Sequence, residues 1–475
     1  MKVINNYRII LFFIKCDKIL HIMQITCDIL YRGKYMNEQI EYSEISAKKA
    51  MEENNIPLAI EIYKKLCEKD EFNNQTLLAK YGLALRKGDK PKEFIEICRE
   101  YIKTKKINAE FLNNVLCWCI YDEYIKKYNE DDTKNFDEFL KEAQYICSNT
   151  TQLPAKEHFR NPYVLTVEKV VKVYNNRNNT NYNEVLKWIE LLNPEMLSSE
   201  DSYIFTDKDG KDREKASHKE FYYQNKIKAL EKTYQYELCY KLCEECFEKI
   251  ENLHYKNEIW IESRKLYCKC MMDSQCIDEY IKFAEEKKLW HIYAKVSEIC
   301  FRYNKLEEAI IYGCKSILCS FEFERMVKLY LTMGQLFENI GQTTNAKTMY
   351  HAAVYYRNAN LWNIPQELEY AIEKYNIDMT IKINRRDIEK IARNYLVNKK
   401  IIRIGQITKI IQEKKCGFIK INDENDTIYF KIKDIKNGFA EKNKYAEFEI
   451  IEYEDKKRAI NIKVIRGGKI NGSIC

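Results

Sequence analysis

The sequence predicts a mostly α-helical chain, built as an array of helical hairpins and ending in a small β module. Three observations carry that prediction. Through residues 37–375, apolar residues recur at helical spacing in segments separated by short polar breaks. Residues 404–435 (IGQITKIIQEKKCGFIKINDENDTIYFKIKDI) instead alternate with a period of two and are cut by polar turns, as short antiparallel strands are. Charge is also uneven: residues 381–475 hold 23 Lys/Arg against 13 Asp/Glu, whereas the first 380 residues hold 56 against 59.

The composition narrows the class. With 475 residues, 45% hydrophobic and 32% charged, the chain is long enough for two or three domains with an ample core. Six prolines and 13 glycines are too few for a collagen, a linker-rich protein or a large α/β enzyme with many tight turns. The net charge of +7 comes entirely from the C-terminal fifth. That favours a polyanionic partner for this end and a protein partner for the rest, against the plainer reading that lysines keep a small barrel soluble. No apolar run approaches the roughly 18 residues of a spanning helix, and Lys15, Asp17 and Lys18 close the run at 9–14. No membrane association, no export signal, reduced thiols and a cytoplasmic location are therefore expected.

The organisation in chain order is an N-terminal extension over 1–36, helical hairpins over 37–375, a basic connector over 376–402, a β module over 403–466 and a tail over 467–475. Residues 1–35 fit neither period. Arg32-Gly33 can be encoded by purine-rich codons resembling a bacterial ribosome-binding sequence just before Met36. Either translation begins at Met36 or this stretch is an ordinary helical cap, and an intact mass distinguishes the two.

From there residues 43–54 and 57–69 form one predicted helix pair, with Pro57 in a first turn, where its missing N–H costs nothing. Residues 76–87 and 91–103 form the next, split at Gly88-Asp89. Small residues recur at Ala47, Ala59 and Gly82, and Ala59 and Phe94 are 35 residues apart. The clearest pair runs over 325–358, with Tyr330, Met333, Gly334 and Phe337 on its first helix. Gly341 makes the turn, and Ala346, Tyr350 and Ala353 lie on the second helix. Tyr293, Val296, Ser297, Cys300, Ala309 and Ser316 form a weaker copy ahead of it.

This alternation of aromatic, large apolar and small positions resembles the tetratricopeptide repeat, which implies a helical-hairpin solenoid with a protein-binding surface. Between the clear pairs, 111–128, 137–147, 164–174, 182–192, 218–232, 236–251, 257–271 and 278–287 read as helices of degenerate repeats. Residues 175–183 and 198–212 read as loops. The 207–212 loop invites a calcium reading, but its glycine comes too early for a helix–loop–helix calcium site.

Catalytic signals are absent from the sequence. Histidines 21, 158, 218, 254, 291 and 351 lie in no zinc-protease, nucleophile-elbow or phosphate-loop context. Cys239, Cys243, Cys246, Cys268, Cys270, Cys276 and His254 form the one plausible metal cluster. Positions 239, 243 and 246 nevertheless fall at i, i+4 and i+7, the buried face of one helix, where cysteine serves as a small core residue. The expectation is no enzyme, no metal and no cofactor.

The C-terminal module has the most specific pattern. Gly405, Ile407, Thr408, Lys409, Ile410 and Ile411 open it, Lys414-Lys415-Cys416-Gly417-Phe418-Ile419 follow, then Ile428-Tyr429-Phe430-Lys431-Ile432. Later strands are read at 446–450 and 459–462. In order and spacing these resemble the two nucleic-acid motifs of the cold-shock domain, which implies a five-stranded OB barrel. The resemblance further implies single-stranded RNA, or single-stranded DNA, stacked on Phe418 and Tyr429, with Phe439 on an adjoining loop. It departs from the family where Lys409 replaces a tryptophan, Cys416 a phenylalanine, Lys431 a histidine and Ile432 an aromatic residue. Lys409, Lys414, Lys415, Lys420 and Lys431 are expected to compensate through phosphate contacts, giving more salt-sensitive, less selective binding. The alternative expectation is a protein scaffold whose barrel no longer binds nucleic acid.

Overall fold

The computed structural model describes residues 42–465 except 130–134, 158–159, 178–179, 200–203, 207–209, 215, 255–256, 423, 425 and 454–455. The N-terminal extension, the tail beyond 465 and residues 207–209 of the 207–212 loop lie outside these residues. The chain divides into two compact units. One runs to Arg177 and includes Lys187–Ser198, and the other takes Asn178–Leu186 and everything from Ser199 onward.

The first unit is helical: α1 (Glu44–Glu52), α2 (Ile56–Lys69), α3 (Gln75–Lys87), α4 (Pro91–Thr104), α5 (Glu110–Ile120), α6 (Phe136–Asn149) and α7 (Tyr163–Asn176). Helix α5 passes into one π turn, Tyr121–Ile125, a widening that no hydrophobic period reveals. Helix α8 (Tyr182–Ile189) follows. In the second unit a short antiparallel hairpin, β1 (Ile204–Thr206) with β2 (Asp212–Glu214), forms within the stretch expected to be loop. Three-residue strands are too short to leave a period-two signal.

The second unit continues with the pairs α9 (His218–Lys232) and α10 (Tyr236–Lys249), α11 (Asn257–Met272) and α12 (Ile277–Lys287), α13 (Trp290–Arg302) and α14 (Leu306–Cys319), and α15 (Val327–Asn339) and α16 (Thr343–Ala359). Helices α17 (Gln366–Tyr375) and α18 (Arg385–Asn398) complete it. Helix α18, expected within a connector, packs on α14 and α16 through Ile388, Ala392, Tyr395 and Leu396.

Five hairpin turns close in the same way, and this marks the repeat more sharply than side-chain identity does. Asn54, Asp89, Tyr234, Asn304 and Gly341 adopt left-handed backbone, with φ of 57°, 56°, 62°, 58° and 74°. In each, the next amide donates to the carbonyl five residues back: Asn55 to Ala50, Lys90 to Leu85, Gln235 to Leu230, Lys305 to Cys300 and Gln342 to Phe337, all at 2.8–2.9 Å. This is the Schellman closure, which satisfies otherwise orphaned helix-end carbonyls. In the second hairpin Asp89, rather than Gly88, takes the left-handed position.

Within hairpins, small residues admit aromatic rings. A Cβ on Gly82 would lie 2.4 Å from the Phe94 ring, and one on Gly334 would lie 2.6 Å from the Tyr350 ring. Tyr350 cannot retreat freely, because its hydroxyl donates to Glu338 Oε2 at 2.7 Å. Gly334→Ala is therefore expected to lower stability by about 1–3 kcal/mol through overpacking, read as a fall in Tm. Together the helices make a tetratricopeptide-like array.

The first helices α9, α11, α13 and α15 pack in a row and are tied by an ion network centred on the buried Glu231. Glu231 Oε2 meets Arg264 Nε at 2.6 Å and its Oε1 meets Lys295 Nζ at 2.7 Å. Glu298 Oε1 receives Lys328 Nζ at 2.8 Å. Burial alone would raise the Glu298 carboxyl, but Lys295 and Lys328 outweigh it and hold the group at about 2. Because that folded value lies below the ordinary one, the stabilisation is present above about pH 4.5 and is lost as pH falls towards 2. Glu298→Gln is therefore expected to destabilise the wild type by about 2–3 kcal/mol at pH 7, with the difference vanishing near pH 2, as measured by denaturant titration.

The β module follows α18 as β3 (Arg403–Ile411), β4 (Cys416–Ile421), β5 (Thr427–Lys431), β6 (Ile435–Asn437), β7 (Tyr445–Tyr453) and β8 (Lys456–Val464). Strand β3 pairs antiparallel with both β4 and β7, β4 pairs with β5, and β7 pairs with β8. A parallel pairing of β5 with β8 closes the barrel, and β6 adds on β8 outside the five. Five strands closed in the order β3-β4-β5-β8-β7 have OB-like topology. The interior is filled by Ile407, Ile419, Ile421, Ile428, Phe430, Ala446, Phe448, Ala459 and Ile462. Strand β3 can serve two neighbours because Gly405 pairs with Ile421 on one side and Ala446 on the other.

Candidate nucleic-acid interface

Strand alternation sorts the β3–β4–β5 residues onto two surfaces. Gly417, Ile419, Phe430 and Ile428 point inward, so their neighbours Phe418, Lys420 and Tyr429 point out. A β-bulge between Ile407 and Lys409 shifts the register and sets Lys409 opposite Phe418. Tyr429 lies opposite Phe418 on the other side, and Arg458 of β8 lies opposite Tyr429. A continuous row, Lys409–Phe418–Tyr429–Arg458, therefore crosses four strands of the barrel wall.

The two rings at its centre touch edge to face, with centroids 5.9 Å apart and planes inclined by 69°. Both are partly exposed, leaving aromatic surface for a flat partner. Rows on either side add charge and polarity. Lys431 lies opposite Cys416, and Lys420 lies between Gln406 and Thr427. Lys414 and Lys415 occupy the exposed β3–β4 turn, where Lys415 adopts left-handed backbone at φ 49°. Among the described residues, Lys409, Lys414, Lys415, Lys420 and Lys431 form no ion pair, so their charge faces solvent uncompensated. Thr408 Oγ1 donates to the Phe418 carbonyl at 3.2 Å and stitches the bulge to β4.

The residues named from sequence thus divide. Lys409, Phe418, Lys420, Tyr429 and Lys431 share one wall, and Lys414 and Lys415 stand at its end. Phe439 lies on the loop between β6 and β7 and is 85% exposed, with nothing placing it on that wall. Cys416 has outward parity but is buried, and Ile432 packs against the barrel core. Arg458 escaped the sequence reading because a parallel pairing 29 residues away in sequence leaves no local pattern. The signal available was Ala459, a small inward residue that forces its neighbour outward. Arg458 Nε sits 3.5 Å from Asp434 Oδ2, an ion pair without hydrogen-bond geometry.

This wall is not where the barrel meets the helices of its unit. That contact uses β7 and β8: Glu447 pairs with Arg393 of α18, and Asn461 accepts from Lys288 Nζ at 3.4 Å.

The cysteine cluster resolves into core packing. Cys239, Cys243 and Cys246 line the buried face of α10, with Cys268 and Cys270 of α11 also buried. Hydrogen bonding to Cys239, and then burial, push the Cys243 and Cys268 thiols up, while the hydrogen bonds from those two pull Cys239 down to about 5. Among the described residues no three His, Cys, Asp or Glu side chains are arranged to hold a metal. His254 instead engages the buried Glu220, the N3 residue of the capping box that opens α9. No described helix is long and apolar enough to cross a membrane.

A family model described as a domain of unknown function (DUF7017) matches residues 260–388, the stretch from α11 into α18. None of the curated proteins compared with the chain matches it. Among solved structures, a monomeric mutant of IFIT1 with Gppp-AAAA is 11% identical, covering 75% of this chain and 72% of that one, at a TM-score of 0.22. Yeast Tom70 is 9% identical, covering 81% of this chain and 97% of that one, also at 0.22.

Proposed function

We propose that the chain is a non-enzymatic adaptor that binds single-stranded nucleic acid, RNA in preference to DNA, on a divergent cold-shock-type barrel. The tetratricopeptide-like array then serves a protein partner. The observation that carries this reading is the row Lys409–Phe418–Tyr429–Arg458, two adjacent aromatic rings flanked by cations on an OB-like wall that the helices leave uncovered. Bases stack on such rings regardless of sequence, because every base has a π face, while the lysines neutralise phosphates. With two rings rather than a longer aromatic platform, a larger share of affinity falls to charge. Binding is accordingly expected to be strongly salt-dependent and weakly sequence-selective.

Filter binding of a labelled single-stranded RNA across 50–200 mM salt tests this, with about a hundredfold loss expected for several phosphate contacts. The scaffold alternative, in which the barrel serves only to pack on the array, draws on the Arg393–Glu447 and Lys288–Asn461 contacts. It predicts purified protein with no bound nucleic acid by its 260/280 nm absorbance ratio and no RNA retained on the filter.

A further inference from the structure

We propose that the first helices α9, α11, α13 and α15 carry a second phosphate-binding site, which takes the backbone of a nucleic-acid strand. This rests on the nucleic-acid reading of the barrel and extends it to the helical array. A cavity of about 290 Å³ opens where these helices meet, and Lys232, Arg264, Lys295, Arg325 and Lys328 line it with a single carboxylate, Glu298. The cations come from α9, α11, α13, the turn before α15, and α15 itself, so the charge runs across successive helices rather than sitting at one point.

The internal acids do not balance this set. Glu231 is committed to Arg264 and Lys295, Glu298 to Lys295 and Lys328, and Glu322 to Arg325 at 3.2 Å. Lys232 makes no hydrogen bond or ion pair among the described residues. Burial, and then the neighbouring Lys295, push its ammonium down. Of the five lining cations Lys232 alone, among the described residues, has no acid paired with it, and an incoming anion supplies that counter-charge.

Two features favour a nucleic-acid strand over an acidic peptide. Trp290 and His291 lie in the cavity wall edge to face, at 5.8 Å, and burial and then Arg264 push His291 down, so the imidazole is neutral and offers a flat face for stacking. The described lining has no asparagine or glutamine with which to pair a peptide backbone.

The test uses the full chain, a fluorescein-labelled 20-nucleotide oligouridine and a 6-nucleotide one, titrated across salt. In the variant Lys232→Gln/Arg325→Gln/Lys328→Gln, Arg325 and Lys328 are exposed and the Glu231 pairs remain intact. The slope of log affinity against log salt for the 20-mer is expected to fall by about two, since each lost single-strand phosphate contact removes about 0.7. Affinity at 0.1 M salt is expected to drop about a hundredfold, with 6-mer binding at the barrel unchanged. An unchanged slope, in a protein whose wild type binds the 20-mer through Phe418 and Tyr429, overturns this inference and leaves the barrel reading standing. Failure of the wild type to bind either oligonucleotide overturns both. An oligoglutamate peptide that binds the wild type and not the triple variant, with 20-mer binding unaltered, also overturns it and assigns the cavity to an acidic protein.

Discussion

Replacing both rings of the barrel wall, Phe418→Ala with Tyr429→Ala, is expected to cost single-strand binding about a hundredfold. Each stacked base is worth roughly 1–3 kcal/mol by such substitutions, and about 1.4 kcal/mol is a factor of ten. Simple addition would give more, but the rings touch at 5.9 Å, and contacting residues do not lose their energies independently. The residual binding should be more salt-dependent in relative terms, because Lys409, Lys420 and Lys431 remain. Phe439→Ala provides the internal comparison. Its ring is 85% exposed on the β6–β7 loop and touches neither ring of the row, so its loss should matter less. Fluorescence anisotropy with a short oligouridine measures all three proteins, and equal affinities across the set would show that the rings hold no base.

The second large effect concerns closure of the barrel. A Cβ on Gly417 would fall 2.5 Å from the Phe430 ring and 2.7 Å from the Lys409 carbonyl oxygen. On Gly405 it would fall 2.4 Å from the Lys420 carbonyl oxygen. Backbone cannot step aside as a flexible side chain can, and Phe430 is fully buried in the centre of the core. Gly417→Val or Gly405→Val is therefore expected to cost the barrel at least about 3 kcal/mol, the upper end of ordinary overpacking. Limited proteolysis should cut within residues 403–465 while the far-UV helical signal persists, and oligonucleotide binding should fall with the barrel. A variant that resists protease like wild type would contradict the tight packing described here.

Much of this was legible in the sequence where one physical cause dominates. Helix α4 ends one residue past the 91–103 that its apolar period marks, and the Gly334–Tyr350 contact follows from the small and aromatic positions of the clearest hairpin. The barrel strands were visible because alternation and turn residues agree along residues 404–435. What stayed hidden depended on non-local or weak causes. Helix α17 buries only Leu368 and Ala371, so it leaves little apolar period to detect. The left-handed turn residue is Asp89 rather than its glycine neighbour because the closing amide, Lys90, is set by where α3 ends. Arg458 joins the candidate wall only through the closure of β5 onto β8. The balance of Glu231 and Glu298 against Arg264, Lys295 and Lys328 requires four helices to be placed before those charges become neighbours.

The central claim is that the wall formed by β3, β4 and β5 holds a single strand. Ultraviolet crosslinking of the full chain to a single-stranded RNA, with the attached peptides mapped by mass spectrometry, tests it most directly. Adducts on Phe418 and Tyr429, or on the peptides over 416–420 and 427–431, are the predicted result. RNA that attaches only elsewhere, or not at all, would contradict it.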